Sequence, residues 1–303
     1  MINQLIAKML PYIPKEIVWL FSKRYISGQY IGDALAESRK LNLEGALVTV
    51  DLLGEYVKNL EEADLYKEQY IVLIKRFTEE KINGNFSVKP SMFGLLIDKE
   101  ACYRNLRELV EVADGCNTLV KIDMEDSDCT SIEIALFRQL KTEFPTRVGL
   151  VLQAYMRRTL ADVKSLLDLN QAAAPLNIRL CKGIYIEPVN MAFKGHQEIR
   201  DHFIEDLRFM LLNGIYVGIA THDKYLINKA YEVIGELGIT KDKYEFQMLY
   251  GVTPHLRKSI IAKGHKLRVY VPYGIQWFGY STRRLKENPA MVWHIIKALF
   301  VRN

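Results

Sequence analysis

Two adjacent arginines, Arg283 and Arg284, stand on a run of helical character, with Tyr280 one turn before them and Glu287 one turn after. At helical spacing these four side chains share one broad face. Neighbouring guanidiniums repel, and the planar guanidinium fork grips a carboxylate through two parallel hydrogen bonds. The pair therefore suits an anionic ligand, although a solvated helix end with an i,i+4 Arg–Glu pair gives the same spacing. Just upstream, Val269, Tyr270 and Val271 are β-branched and aromatic, as a strand requires, and Pro272 and Gly274 are expected to turn the chain into the helix.

Four shorter stretches carry further chemistry. In Ser87-Val-Lys-Pro-Ser91 a lone lysine, Lys89, sits where Pro90 ends a strand, so its ammonium is expected to point into the space beyond. Ile122-Asp-Met-Glu-Asp126 ends a strand on the acid Asp123, with two more acids following. Arg179-Leu-Cys-Lys-Gly-Ile-Tyr185 offers two cations, Arg179 and Lys182, and Gly183 permits a phosphate or ring to approach the backbone. Ala220-Thr-His-Asp223 closes a strand with a hydroxyl and an imidazole. For His222 a helix-cap or supporting role outweighs metal ligation, because no HExxH or His–Cys cluster accompanies it.

The elements that must position these groups alternate. Eight strand candidates are Ala46–Asp51, Phe86–Pro90, Thr118–Asp123, Arg147–Gln153, Asn177–Lys182, Tyr216–Thr221, Tyr244–Leu249 and Lys266–Val271. Between them run amphipathic helices such as Leu60–Thr78, Ile132–Glu143, Leu160–Leu169, Ile199–Leu212 and Lys224–Leu237. Eight βα units over about 250 residues predict an α/β fold of the closed (βα)8 barrel type. The open doubly wound sheet is the alternative, and its GxGxxG fingerprint is absent. Active sites of such barrels gather where strands end. Every strand carries a polar residue at or within two positions of its end: Asp51, Lys89, Asp123, Gln153, Lys182, Thr221 with His222 and Asp223, Gln247, and Tyr270. Singly each could face water, but a complete ring of costly polar groups wants a ligand or each other.

The chain of 303 residues has room for a barrel-sized core, and 49% hydrophobic and 25% charged residues are ordinary for a globular protein. A net charge of +5 is too mild to argue for nucleic acid, and none is expected as a partner. The four cysteines show no CxxC pairing and read as reduced cytosolic thiols, so no zinc site or disulfide framework is expected. No run reaches the roughly 18 apolar residues of a membrane span, and nothing reads as a signal peptide. Residues 1–44 form a helical arm by their spacing, and residues 45–303 form the barrel.

Taken together, Asp51-Leu-Leu-Gly-Glu55, SVKPS, IDMED, LQAY (152–155), RLCKGIY, ATHD, YEFQMLYG (244–251), RVYVPYG and YSTRRLKEN make the chain resemble the proline dehydrogenase family. The words lie in the family's order over essentially all of residues 46–289. The resemblance, to the monofunctional bacterial type, implies FAD as cofactor and oxidation of L-proline to Δ1-pyrroline-5-carboxylate, with electrons passed to a membrane quinone. It implies that the last barrel helix lies across the barrel mouth. There Arg283 and Arg284, with Lys89, would hold the proline carboxylate, and Tyr185, Leu249, Tyr270 and Tyr280 would wall the ring. Asp123 would belong to the surrounding polar network, and Arg179 would sit near the reactive flavin nitrogen. Met124, Gln153, Cys181, Lys182, Gly183, Thr221, His222 and Gln247 would hold FAD, and Glu287 would close the site. Two departures bear on the flavin region: Ile186 stands where many members carry tryptophan, and Cys181 where valine is common.

Elementary chemistry agrees with this reading. Oxidising a secondary amine to an imine removes a hydride from carbon, which no side chain accepts, so a cofactor must. The amine must first lose its proton, and no base for that step is evident from the residues. Three readings stand beside this one: hydroxyproline as substrate, a Schiff-base lyase or aldolase using Lys89 or Lys182, and a barrel that only binds proline or lipid. The first 25 residues carry Leu5, Ile6, Met9, Leu10, Ile17, Val18, Trp19 and Phe21 among four basic side chains. They are expected mainly to pack on the barrel, with weak peripheral contact at the inner face of the cell membrane for a cytoplasmic protein that must reach a quinone.

Overall fold

A computed structural model describes residues 15–287, apart from the side chains of Glu16, Ile17, Leu20, Phe21 and residues 283–287. Two helices, α1 (Lys15–Ser22) and α2 (Ile31–Leu43), precede the first strand. The strands are β1 (Leu47–Leu52), β2 (Gly84–Val88), β3 (Val120–Ile122), β4 (Val148–Gln153), β5 (Asn177–Cys181), β6 (Tyr216–Ala220), β7 (Tyr244–Leu249) and β8 (Leu267–Tyr273). Following them in turn are α3 (Leu60–Glu79), α4 (Lys99–Gly115), α5 (Ser127–Glu143), α6 (Thr159–Ser165), α7 (His196–Leu212), α8 (Lys224–Glu236), α9 (Pro254–Ala262) and α10 (Trp277–Glu287). All pairings are parallel and β1 closes on β8, so the sheet is the expected eight-stranded barrel.

Alternation along the strands sorts the residues into two cores. One set, including Val48, Val50, Val88, Ile122, Leu150, Ile178, Ile219, Phe246 and Val269, is buried and packs outward against the helices. The other set points into the barrel, where Val, Ile and Leu usually dominate. Here the interior is polar: Asp51, Ser87, Lys121, Asp123, Gln153, Arg179, Glu245 and Gln247 are all buried. Such groups are stable inside only when they satisfy one another.

Local chemistry shifts two expected boundaries. Helix α5 starts five residues before Ile132 because Asp126 caps it, its carboxylate accepting from the Cys129 amide at 3.3 Å. Strand β8 runs through Pro272, which pairs in register with Asp51, instead of turning there. The Pro272 carbonyl accepts from the Ser27 amide at 2.9 Å, so a strap from the N-terminal segment covers this strand end. A second strap bond runs from Gly274 N to Gly28 O at 3.1 Å, and Arg24 Nε donates to Gly251 O at 3.4 Å.

Helix α2 packs on β8 and β1 through Ala34, Leu35, Ser38 and Leu41, taking the outer slot usually filled by the helix after the last strand. Helix α10 is thereby free to pack against α1, with the Trp19 and Trp277 rings 4.7 Å apart, and to bring Tyr280 to the barrel mouth. Residues 1–14, which carry the first four apolar residues of the expected basic arm, lie outside the described residues.

Candidate active site

The interior polar set converges on Asp123, which follows β3. Its Oδ1 accepts from the Ser87 hydroxyl and from Arg179 Nη1 at 2.9 Å, and its Oδ2 accepts from the Tyr270 hydroxyl at 3.0 Å. Lys89 Nζ lies 3.8 Å from the same Oδ2 and donates to both oxygens of Asp51, at 3.0 and 3.1 Å. Burial disfavours the Lys89 charge, but Asp51 and Asp123 together hold the ammonium above its ordinary range. Burial pushes the Tyr270 hydroxyl well above the usual phenol value, so it stays a neutral donor to Asp123. The Arg179 guanidinium lies over the Tyr270 ring, 5.0 Å from its centroid. With its two oxygens engaged, Asp123 anchors the cations and hydroxyls around it.

Arg179 is the most constrained of these groups. Its Nε donates to Gln247 Oε1 at 2.7 Å and its Nη1 to Ser87 and Asp123. Its Nη2 is buried without a hydrogen-bond partner among the described residues. A buried guanidinium nitrogen left unsatisfied is costly, so this atom is suited to donate to a polar ligand atom.

The strands β4 to β7 form the adjoining wall. Gln153 bridges two loops, donating to Glu125 O at 3.0 Å and accepting from Ile184 N at 3.1 Å. Gly183 has φ +119°, and the Tyr155 ring fills the space a side chain would need, so bare backbone lines the cavity. His222 Nε2 accepts from the Leu249 amide at 2.8 Å, which requires that nitrogen to be unprotonated. Lys182 pairs with Asp223 at 3.3 Å, and Arg200 holds the same carboxylate at 2.8 and 2.9 Å. Burial alone would raise the Asp223 carboxyl, but Arg200 and Lys182 hold it down to about 2.

A cavity of about 340 Å³ opens between these groups, within the roughly 300–1,000 Å³ range of small-molecule sites. It brings together Lys89, Asp123, Met124, Gln153, Arg179, Cys181, Lys182, Gly183, Tyr185, His222, Gln247, Leu249, Tyr270 and Tyr280 of the residues expected from sequence. Thr221 is buried but does not line it; its hydroxyl accepts from the Asp223 amide at 3.1 Å and shapes the turn into α8. Arg283, Arg284 and Glu287 belong to α10, but their side chains lie outside the described residues. A second, larger cavity of about 730 Å³ lies beside it, between the β1–α3 loop and α10, and shares Glu55 and Tyr280 with the first.

Sequence reasoning placed Asp51 in the strand-end ring without naming its partner and gave no role to Ser87, Glu245 or Arg268, which join the hydrogen-bond network of the site. The signal was present as alternation: Glu245 and Gln247, like Arg268 and Tyr270, are two apart on a strand and so face one side.

A family model described as Proline dehydrogenase matches residues 34–295, nearly all of the barrel whose geometry is given above. The chain belongs to the proline dehydrogenase family. It is 35% identical over 280 residues to Proline dehydrogenase 1 of Bacillus subtilis strain 168, covering 92% of this chain and 91% of that one. To the Proline dehydrogenase of Deinococcus radiodurans it is 31% identical over 291 residues, covering 95% and 92%. Among solved structures, the crystal structure of proline utilization A from Bdellovibrio bacteriovorus inactivated by N-propargylglycine superposes with a TM-score of 0.82 at 26% identity. That match covers 88% of this chain and 32% of the longer protein, so the chain corresponds to about a third of it. The enzyme is an oxidoreductase that dehydrogenates proline, which removes the lyase reading. Both lysines considered for Schiff-base chemistry are salt-bridged, Lys89 to Asp51 and Lys182 to Asp223.

Proposed function

We propose that the enzyme oxidises L-proline to Δ1-pyrroline-5-carboxylate with FAD as cofactor and passes the electrons to a membrane quinone. The observation that carries the reading is the Arg179 guanidinium, held at Nε and Nη1, with Nη2 buried and given no hydrogen-bond partner by the described residues, on a side chain that lines the cavity. When bound, FAD supplies the hydride acceptor that no side chain can provide. The residues that would hold it are Arg179, the Gly183 backbone, Lys182, Met124, Cys181, Gln153, His222 and Gln247, which share one wall of the cavity. Thr221 would support that wall from behind through the Asp223 turn.

Each group then has a part in orientation. Lys89 uses at most two of its three N–H donors on Asp51, which leaves a donor for the substrate carboxylate beside Arg283 and Arg284. Tyr185, Leu249, Tyr270 and Tyr280 would enclose the ring and exclude water, which fixes the carbon that loses hydride. Arg179 would stabilise negative charge that develops across the cavity during transfer. Glu287 would close the site from α10. Because both Asp123 oxygens already accept hydrogen bonds, deprotonation of the substrate amine is assigned to another acceptor, with bulk water during binding as the simplest.

Membrane contact is inferred to be electrostatic. Val18, Tyr25 and Ile26 are buried and Trp19 packs at a tilt against Trp277, whereas Lys15, Lys23 and Arg24 are exposed. Among the described residues no helix is long and apolar enough to cross a membrane. Flotation with anionic vesicles at low and high salt would test it with Lys15, Lys23 and Arg24 reversed to glutamate, since deleting α1 would also undermine α10. Unchanged flotation would leave the arm a purely structural element.

The central test is the visible spectrum of purified protein. A yellow protein that bleaches anaerobically on adding L-proline, releases FAD on denaturation, yields a trappable cyclic imine and is reoxidised by a soluble quinone bears out the proposal. A colourless protein that neither binds added FAD nor turns over with it would overturn it. Running trans-4-hydroxyproline in parallel decides between the two ring substrates.

A further inference from the structure

Beneath Arg179 the barrel holds a carboxylate that the reaction does not touch. Glu245 is 1% exposed and lies on β7 one interior position below Gln247. Its Oε1 accepts from Gln247 Nε2 at 2.6 Å and Arg268 Nε at 2.6 Å, and its Oε2 from Arg268 Nη2 at 3.0 Å and the Tyr216 hydroxyl at 3.1 Å. Gln247 turns its other end upward, accepting at Oε1 from Arg179 Nε at 2.7 Å.

A primary amide held this way has one workable orientation. Flipping it would set donor against donor at Arg179 and acceptor against acceptor at Glu245. Glu245 and Arg179 therefore fix the amide from its two ends, and the Glu245 carboxylate is the acceptor that holds Nε2 away from the arginine. Burial would raise the Glu245 carboxyl, but Arg268, Lys121 and the Gln247 hydrogen bond hold it down to about 2, so it is ionised throughout the working range. The packing accommodates the arrangement: a Cβ on Gly218 would fall 2.3 Å from Gln247 Nε2. A glycine on β6 is what lets the amide lie between the carboxylate and the guanidinium.

We propose that Glu245 is a positioning residue for the reaction, acting through Gln247 to hold Arg179 so that Nη2 alone is left for the ligand. The inference rests on the role given above to Arg179. Its consequence is sharp because two effects of neutralising Glu245 have opposite signs. Loss of a buried negative charge, by itself, would favour the reduced and more negative form of the bound flavin and move its midpoint potential upward. Loss of the Arg179 aim would withdraw a cation from that form and move the potential downward.

The experiment measures the midpoint potential of the flavin-loaded protein, kcat and KM for proline, and the Kd of a proline analogue with oxygen in place of the ring nitrogen. Glu245→Gln is expected to lower kcat at least tenfold while KM and the analogue Kd stay within threefold. The potential should shift to more negative values, by about 30 mV for a tenfold loss in a two-electron couple. In a Gln247→Leu background, where the link is already cut, the same substitution should leave kcat nearly unchanged and no longer move the potential downward. If Glu245→Gln does not fold, Glu245→Gln/Arg268→Met removes both charges and is read by the same criteria. A positive or zero shift with near-parental kcat, or an undiminished effect in the Gln247→Leu background, overturns the proposal. Arg179→Lys separates the two layers: if it leaves potential and kcat unchanged, the reading of Arg179 fails. If it lowers both while the Glu245 variants do not, only the positioning role fails.

Discussion

Asp123→Asn removes one charge at the point where three hydrogen-bond donors meet beside the Lys89 ammonium, and its cost follows from the geometry. The side chains of Asp123 and Arg179 are 12% and 7% exposed, so the pair is nearly buried. Stranding one half of such a pair costs about 3–5 kcal/mol. Asparagine keeps one acceptor oxygen for Ser87 or Arg179, and the Tyr270 hydroxyl can rotate to accept from the new amide, so the low end, about 3 kcal/mol, is expected. For chains somewhat shorter than this one each kcal/mol moves Tm by about 2–4 °C, which gives a fall of roughly 6 °C or more. Thermal unfolding would be followed by scanning calorimetry at fixed protein and saturating FAD, because a bound ligand shifts Tm by mass action. The decisive comparison is Asp123→Asn/Arg179→Met, which removes both charges and is expected to recover most of the lost stability while leaving the enzyme inactive. A single variant that melts within 2 °C of the parent, or a double variant no more stable than the single, would refute the view that Asp123 is held for its charge.

Three further outcomes are expected. Arg283→Lys and Arg284→Lys should each weaken proline binding by about 2 kcal/mol, roughly thirtyfold, with FAD retained, because lysine cannot copy a bidentate contact; titration with the ring-oxygen analogue checks this, and unchanged affinity in both removes the carboxylate clamp. Proline should be preferred over trans-4-hydroxyproline, and Tyr270→Ser should narrow the gap by clearing the ring edge; equal kcat/KM for both substrates in the parent enzyme would rule the idea out. Glu133 carries the pH prediction. Burial first, and then Glu125, push its carboxyl up to about 9 from an ordinary value of 4.5. The folded state thus binds the extra proton between those values, and stability should fall as pH rises through that window. Glu133→Gln keeps an acceptor for the Glu125 amide, which donates to both Glu133 oxygens at 3.1 and 3.3 Å. It should therefore raise Tm at pH 8 and change it little at pH 5, whereas an equal shift at both pH values would count against a protonated Glu133.

What the sequence determined by itself was the periodicity and the words. Period-2 apolar runs alternating with period-3.6 helices are local properties, and eight such units leave few closed arrangements other than the barrel. The strand-end residues were legible for the same reason, since Lys89, Asp123, Gln153, Gln247 and Tyr270 sit where β-runs stop. Boundaries were less so: Asp126 lengthens α5 and the Ser27 strap lets β8 continue through Pro272, both through hydrogen bonds to particular partners. The placement of α2 in the eighth outer slot could not be read from its own amphipathic pattern, because that pattern does not name the surface it covers. Only tertiary structure decided the partnerships inside the barrel. Asp51 meets Lys89 across 38 positions of sequence, and Arg179 meets Asp123 across 56 and Gln247 across 68. Such pairs are set by strand register and by the inward half of each β-strand. A composition that reads locally as ordinary alternation becomes, once the sheet closes, a buried polar network whose members largely satisfy one another.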